Sequence, residues 1–237
     1  MKPSPIDEAT RHHREGRLRE AEHAYRQILA DDPHHPRACD MMGVLAFQTG
    51  HLQQALAWVE RAIATDADVA EFHFHRAIML TDLQRIDDAC DAYRRVVTLD
   101  PTHANAYNNL GLLWKRQGDG AQAEACFRAA IQARPDFALA WSNLGSLLCD
   151  RGARDEGLAA AQHAVALDEG SAIAHNNLAR VLCDAREWAA AVSAGRRAIA
   201  LQPDMAAAYS NLALAYGGLG DVAQAEQHHQ HAIKLAP

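Results

Sequence analysis

Apolar and polar residues alternate along this chain with the spacing of amphipathic helices, and the whole pattern repeats every 34 residues. Seven rows that begin at residues 2, 36, 70, 104, 138, 172 and 206 align without a gap. Row positions 8 and 20 hold alanine or glycine in every row. Each row therefore predicts two helices that approach closely, joined by a turn.

The turn and the end of each row carry residues that stop helices. Glycine occupies position 15 in five rows, where a residue past a helix end adopts the left-handed conformation at little cost. Proline occupies position 32 in five rows, at Pro33, Pro101, Pro135, Pro203 and Pro237. Since proline cannot continue a helix, the second helix ends there. Such a unit buries its apolar stripe only against its neighbours, so we expect no single globular core.

This pattern resembles the tetratricopeptide repeat (TPR) family over effectively the whole chain. The fourth row matches the family's signature positions with Tyr107, Leu110, Gly111, Trp114, Ala123, Phe127, Ala130 and Pro135. The resemblance implies an all-α fold, a right-handed TPR solenoid of about seven helix-turn-helix repeats of 34 residues. We expect one array over residues 1–237, with rows 2–35, 36–69, 70–103, 104–137, 138–171, 172–205 and 206–237.

The first row departs from the pattern. Pro5, Glu8 and His12 stand at positions where bulky apolar residues belong in the family's pattern. We interpret this row as a capping unit at the N-terminal end.

Asparagine recurs at row position 6 of the last four rows, at Asn109, Asn143, Asn177 and Asn211. At about 100° per residue, position 6 lies on the side of the first helix opposite to the apolar stripe. Positions 2 and 9 share that side, and they hold Leu139 and Ile173, and Leu112 and Leu214. We therefore predict that the four asparagines point away from the packing, with these four apolar residues beside them.

In TPR proteins the first helices line the concave surface, so the resemblance implies an amide ladder along an inner groove. An amide both donates and accepts hydrogen bonds, and can hold the backbone of an extended peptide without reading its sequence. The predicted peptide-binding residues are Asn109, Asn143, Asn177, Asn211, Leu112, Leu139, Ile173 and Leu214. The alternative is a solvated surface whose asparagines recur because the repeats arose by duplication.

The sequences NNLG and SNLG in these rows most resemble the TPR superhelix of O-linked N-acetylglucosamine transferases and SPINDLY-like proteins. In that family the ladder holds polypeptide substrates for a glycosyltransferase domain that follows it, and these 237 residues contain no such domain. Three functions stay open. The chain is a protein-interaction scaffold, the substrate-recognition arm of such a transferase, or a structural scaffold that self-associates through its convex or C-terminal face.

The charge of the chain indicates which classes of partner it binds. With 23 basic and 30 acidic residues and a net charge of −7, the rows form no basic stripe, so we expect neither nucleic acid nor a membrane as partner. Asp82, Asp150 and Asp184 at position 13 leave open a protein partner of some basic character.

Sequence motifs for catalysis, cofactors and metals are absent. The chain has no phosphate-binding glycine loop, no zinc-protease motif and no nucleophile elbow, so we expect neither an enzyme nor a cofactor. The 14 histidines and five cysteines have no zinc-like spacing, and the odd cysteine number favours reduced, structural thiols. No apolar run approaches 18 residues and the first residues do not resemble a secretory signal, so we expect a cytoplasmic protein.

Overall fold

The computed structural model describes residues 4–235, which form helices joined by short turns and contain no strand. The first helices of the seven pairs are α1 Pro5–Arg14, α3 Pro36–Gln48, α5 Ala70–Asp82, α7 Ala104–Arg116, α9 Ala138–Asp150, α11 Ala172–Asp184 and α13 Ala206–Gly218. The second helices are α2 Leu18–Asp31, α4 Leu52–Thr65, α6 Ile86–Leu99, α8 Gly120–Ala133, α10 Arg154–Leu167, α12 Trp188–Leu201 and α14 Val222–Leu235. The predicted all-α fold of about seven helix pairs is confirmed.

The helix boundaries follow the rows of the sequence. From the second row onward the first helix begins at row position 1, and in all seven rows the second helix begins at position 17. The five turn glycines have φ between 74° and 87°. Gln84 and Arg186 occupy the same position in the third and sixth rows, with φ of 59° and 60°. The turn geometry, rather than glycine itself, is therefore what the seven rows share.

The chain divides into two compact units, residues 1–106 and 107–237. In the first unit Tyr25 and Tyr93 are buried, as are Ala21 and Ala89 at row position 20. In the second unit Phe127 lies against Gly111, whose added Cβ would come within 2.7 Å of the ring. The small residues at positions 8 and 20 thus make room for a large side chain between the helices. The single array over all seven rows stays a prediction.

Row position 4 carries a side chain that reaches back to the end of the preceding row. Trp141 Nε1 donates to the carbonyl oxygen of Pro135 at 2.8 Å, and Tyr209 Oη donates to that of Pro203 at 3.1 Å. His73 Nε2 and His175 Nε2 lie 2.9 and 3.1 Å from the carbonyl oxygens of Ala67 and Glu169. These bonds satisfy a carbonyl in each loop and fix the start of the next first helix.

The five cysteines, Cys39, Cys90, Cys126, Cys149 and Cys183, are buried and carry free thiols. Burial raises the pKa of the Cys39, Cys90 and Cys149 thiols and raises the pKa of Cys183 to about 11. A thiol whose pKa is raised carries little thiolate at neutral pH, so these four are poor nucleophiles.

Two glycines face each other where α9 packs on α10. A Cβ on Gly145 would lie 2.8 Å from the carbonyl oxygen of Gly157 and 2.9 Å from the nitrogen of Ala161. Both contacts are with backbone atoms, which cannot turn aside as a flexible side chain would. The close approach of these two helices therefore requires a glycine as residue 145.

We expect Gly145→Ala to lower the free energy of unfolding by about 1–3 kcal/mol, because the added methyl group forces α9 away from α10. Gly217→Ala is the matched control, since Gly217 is exposed and nothing lies within 4 Å of its added Cβ. It should be neutral or stabilising by less than about 1 kcal/mol. Urea unfolding followed by circular dichroism measures both. Equal midpoints for Gly145→Ala and the wild type would contradict the packing argument.

Candidate functional site

The position-6 asparagines, here called the asparagine ladder (Asn109, Asn143, Asn177 and Asn211), lie on the first helices of the second unit. Three of them donate to the preceding first helix. Asn143 Nδ2 donates to Asn108 Oδ1 at 2.8 Å. Asn177 Nδ2 donates to Ser142 Oγ, and Asn211 Nδ2 to Asn176 Oδ1, also at 2.8 Å. Each bond joins position 6 of one row to position 5 of the row before, and we call it a rung.

The ladder is less exposed than the helical-wheel angle predicts. Asn109, Asn177 and Asn211 are half-buried, and Asn143 is only 9% exposed. The angle of one isolated helix takes no account of the neighbouring first helix, and α9, α11 and α13 pack side by side. Positions 5 and 6 therefore lie along the line where successive first helices meet.

Each rung leaves part of the amide for another partner. An asparagine side chain has two N–H donors and a carbonyl oxygen, and the rungs of Asn143 and Asn177 use one N–H each. Asn211 Nδ2 also donates to the backbone carbonyl oxygen of Asn176 at 3.2 Å. The oxygen of Asn177 lies 3.5 Å from Asn176 Nδ2, which is a long contact for a hydrogen bond. The rung thus fixes the direction of the amide without using all of its hydrogen-bonding groups.

The four apolar residues predicted beside the ladder are exposed. Leu112 is 41%, Leu139 37%, Ile173 48% and Leu214 53% exposed. Leu139 and Ile173 occupy the same row position in consecutive repeats, four residues before Asn143 and Asn177. Leu112 and Leu214 follow Asn109 and Asn211 by three residues. An apolar side chain within one helical turn of each amide is therefore accessible to a ligand.

A charged cluster lies on the same first helices, toward their C-terminal ends. Lys115 Nζ lies 2.9 Å from Asp150 Oδ2, and Arg180 Nη1 lies 2.8 Å from Asp150 Oδ1 and 3.1 Å from Asp184 Oδ2. Both cations also donate to Ser146 Oγ. Asp150 and Asp184 are therefore neutralised by cations of their own and adjacent repeats, which weakens the argument for a basic partner. These pairs are partly exposed, so each contributes little to stability.

The first unit contains an ionic counterpart of the rung. His75 at position 6 lies 2.8 Å from Asp40 Oδ1 through Nδ1, and Asp40 is at position 5 of the preceding row. The other ring nitrogen lies 3.2 Å from Glu71 Oε1. Burial lowers the pKa of His75, but the hydrogen bonds and charges of Asp40 and Glu71 outweigh it and raise that pKa to about 9. His103 and His75 together hold the pKa of Glu71 below its ordinary value.

These shifts make the stabilisation by the His75–Asp40 pair depend on pH. Because the pKa of His75 is raised from 6.5 to about 9, its stabilisation is complete below pH 6.5 and is lost as the pH rises through 9. The lowered pKa of Glu71 has the opposite sign, so that contribution is present above pH 4.5 and is lost in acid. The contacts of His75 with Asp40 and Glu71 therefore stabilise the fold most between pH 4.5 and 6.5.

We expect the stability difference between the wild type and His75→Asn to shrink as the pH rises from 6.5 to 9, by on the order of 1–3 kcal/mol. Asparagine keeps a neutral donor opposite Asp40 and does not titrate. Urea unfolding of both proteins at pH 6, 7.5 and 9 measures the difference, and the other titrating groups cancel in it. A difference that is constant with pH would refute the ionic rung.

Within residues 4–235 no helix has the length and apolar character needed to cross a membrane. Over the same range no three His, Cys, Asp or Glu side chains form a group that could hold a metal ion.

Comparison with family models decides the family. Models described as tetratricopeptide repeat or TPR repeat match residues 12–76, 77–118, 104–137 and 205–236, together more than half of the chain. The chain belongs to the tetratricopeptide repeat family. TPR proteins act as protein-interaction scaffolds, and the TPR fold is typically a repeat scaffold without catalysis.

Curated relatives share part of the TPR array. The chain is 29% identical over 101 residues to the inactive TPR repeat-containing thioredoxin TTL3 of Arabidopsis thaliana, covering 42% of this chain and 15% of that protein. It is 29% identical over 121 residues to the protein O-mannosyl-transferase TMTC1 of Mus musculus, covering 49% of this chain and 13% of that protein. The chain thus spans a small part of the relatives that it matches.

Solved structures share the fold. A chain of the APC/C hetero-tetramer Cut9–Hcn1 is similar with a TM-score of 0.83 and 16% identity, over 97% of this chain and 45% of that one. YrrB, described as a TPR protein with an unusual peptide-binding site, is similar with a TM-score of 0.62 and 18% identity, over 78% of this chain and 95% of that one. At these identities the likeness concerns the fold alone.

Proposed function

We propose that the second unit binds an extended polypeptide along the asparagine ladder, with Leu112, Leu139, Ile173 and Leu214 contacting its side chains. The observation that carries the proposal is the rung, because it holds the amides of Asn143, Asn177 and Asn211 in one orientation before any ligand arrives. A peptide backbone offers one carbonyl acceptor and, except at proline, one N–H donor per residue, which suits an amide.

Preorganisation supports this function energetically. Immobilising a rotamer-rich side chain on binding costs about 0.5–1.5 kcal/mol, and the rungs remove that cost for the amides. Four neutral hydrogen bonds contribute about 2–6 kcal/mol in total, whereas a 1 μM complex needs about 8 kcal/mol. The exposed apolar residues must supply the remainder. We therefore infer weak binding of broad sequence specificity.

The similar proteins are consistent with an interaction scaffold and support no more specific function. YrrB is a TPR protein with a peptide-binding site of its own, and it shares only the fold with this chain. The relative TMTC1 is an O-mannosyl-transferase of which this chain spans 13%. The substrate-recognition arm of a glycosyltransferase thus gains no support beyond the ladder itself, and the scaffold is the function that the geometry favours.

The test must separate the structural role of a rung from its role in binding. Asn177→Ala and Ser142→Ala both remove the 2.8 Å bond between α9 and α11. Only Asn177→Ala also removes the amide from the surface, because Ser142 is fully buried. Changing all four asparagines at once is a poorer test, since it would break three rungs and destabilise the unit.

We expect a peptide selected from a random 12-residue phage-displayed library to bind Asn177→Ala about two- to tenfold more weakly than the wild type, through loss of one peptide hydrogen bond. Ser142→Ala keeps the amide and loses only its fixed orientation, so it should weaken binding less than Asn177→Ala does. Fluorescence anisotropy with the synthetic peptide measures the affinities, and circular dichroism checks the fold. Equal weakening by both variants, or a selection that enriches no peptide, would refute the groove as a binding site.

A specific observation favours self-association as a second candidate. Leu219, Val222 and Ile233 are 51%, 71% and 55% exposed on and before α14. In the preceding repeat the residues equivalent to Val222 and Ile233 are Trp188 and Ile199, which pack against an apolar cluster that includes α13. The exposed Val222 and Ile233 therefore occupy row positions that in the preceding repeat form the interface between repeats. The occupant that we propose is α14 of a second copy, related by a two-fold axis.

The polar character of α1 argues against a dimer in which α14 of one copy packs on α1 of another. Pro5 and Glu8 of α1 are exposed and His12 is half-buried, so α1 offers no apolar stripe that matches α14.

Light scattering over a concentration series should show a dimer for the wild type, and a monomer for the double variant Val222→Glu and Ile233→Glu. Both side chains are exposed, so the fold should survive these changes. The control variant is Glu8→Lys on α1, which should leave the measured mass unchanged. A wild-type protein that stays monomeric at every concentration would exclude self-association.

A further inference from the structure

We infer that the ligand of the asparagine ladder is a polyproline II segment in which apolar residues recur at every third position. The inference rests on the proposed peptide-binding function and adds the conformation and sequence period of the peptide. It follows from the match between the spacing of the repeats and the geometry of extended chains.

The repeat sets one spacing along the ladder. Successive first helices α9, α11 and α13 pack directly on one another, and the rungs join them through 2.8 Å hydrogen bonds. Helices in direct contact have axes about 8–10 Å apart. Each repeat therefore presents one amide to the ligand at intervals of about 8–10 Å.

Two extended conformations fit this distance. Three residues of a β-strand rise about 10 Å, and three residues of polyproline II rise about 9.3 Å. The side chains of a strand alternate, so residues three apart point to opposite faces. Polyproline II has three residues per turn, so residues three apart point in the same direction. Only polyproline II presents the same face of the ligand to every repeat.

The backbone of polyproline II also suits the amides. It has no internal hydrogen bonds, so every carbonyl oxygen can accept an N–H from the ladder. Proline is tolerated wherever the peptide donates nothing to the groove, since it lacks only the N–H. The N–H of Asn177 that its rung leaves over would thus meet one carbonyl oxygen of the peptide.

The two sides of the ladder differ in the middle repeats. On one side lie the exposed Leu139 and Ile173, at the same row position in consecutive repeats. On the other side lie Ser146 and Arg180, also one repeat apart, which belong to the charged cluster. A polyproline II peptide directs one residue of each turn to the apolar side, and one to the polar side. The third points to solvent.

A β-strand would make fewer apolar contacts with this surface. If one apolar side chain of a strand contacts Leu139, the residue three positions on points away from Ile173. The strand reaches the same orientation again only after six residues, which corresponds to two repeats. It would therefore make one apolar contact where polyproline II makes two.

Two peptides of identical composition test the period. One repeats Pro-Leu-Gln four times, and the other places the same four leucines at alternate positions among the prolines and glutamines. Both are acetylated and amidated, carry the same fluorophore, and are titrated with the full chain in fluorescence anisotropy. The proteins are the wild type, Asn177→Ala, its matched control Ser142→Ala, and Ile173→Asp.

We expect the period-three peptide to bind the wild type about tenfold more tightly than its isomer, which corresponds to about 1.4 kcal/mol. Ile173→Asp should reduce that preference to less than about threefold, because it removes one of the two apolar contacts. Asn177→Ala should weaken binding of the period-three peptide more than Ser142→Ala does.

The outcomes separate the inference from the function on which it rests. If the isomers bind equally, or the alternating isomer binds more tightly, while Asn177→Ala weakens binding selectively, the period is wrong and peptide binding stands. If neither isomer binds but a library-selected peptide does, the inference alone fails. If Asn177→Ala and Ser142→Ala weaken every peptide equally, peptide binding by the ladder fails and the inference fails with it.

Discussion

The hydrogen bond between row position 6 and position 5 of the preceding row is the interaction on which the candidate site depends. It spans 35 residues of sequence and recurs as Asn143 to Asn108, Asn177 to Ser142, and Asn211 to Asn176. Buried polar groups must be paired, so one residue of each pair dictates the chemistry of the other. The bond sets the register of neighbouring first helices and, in the same geometry, the direction in which each amide points.

The first unit shows that the same two positions accept different chemistry. The half-buried His75 and the buried Asp40 form a charged pair there, in which the imidazole titrates. A neutral amide pair depends on neither pH nor salt and leaves a donor for a ligand, whereas the imidazole of His75 uses both nitrogens on carboxylates. The difference explains why the candidate peptide site lies in the second unit, although both units are built from the same repeat.

Much of the fold could be predicted from the sequence because its determinants are local. Helix boundaries follow from the turn residues, and the exposed Leu112, Leu139, Ile173 and Leu214 follow from the angle of one helix. The rungs could not be predicted in this way, since they join residues on different helices. The donors at position 4, such as Trp141 and Tyr209, did leave a signal, because that position carries a side chain with a donor in the last six rows. The cations that neutralise Asp150 also come from other rows.

The structural role of the rungs does not account for the asparagines by itself. In the first unit Ile6 and Met41 occupy positions 5 and 6 of consecutive rows, and both belong to one apolar cluster. An apolar pair thus joins two first helices at these positions without a hydrogen bond. Asparagine is also a poorer helix former than leucine or methionine, so it costs helix stability at four positions. Since packing does not require amides there, a ligand that uses their remaining hydrogen-bonding groups gives a physical reason for them, whereas a purely structural scaffold does not.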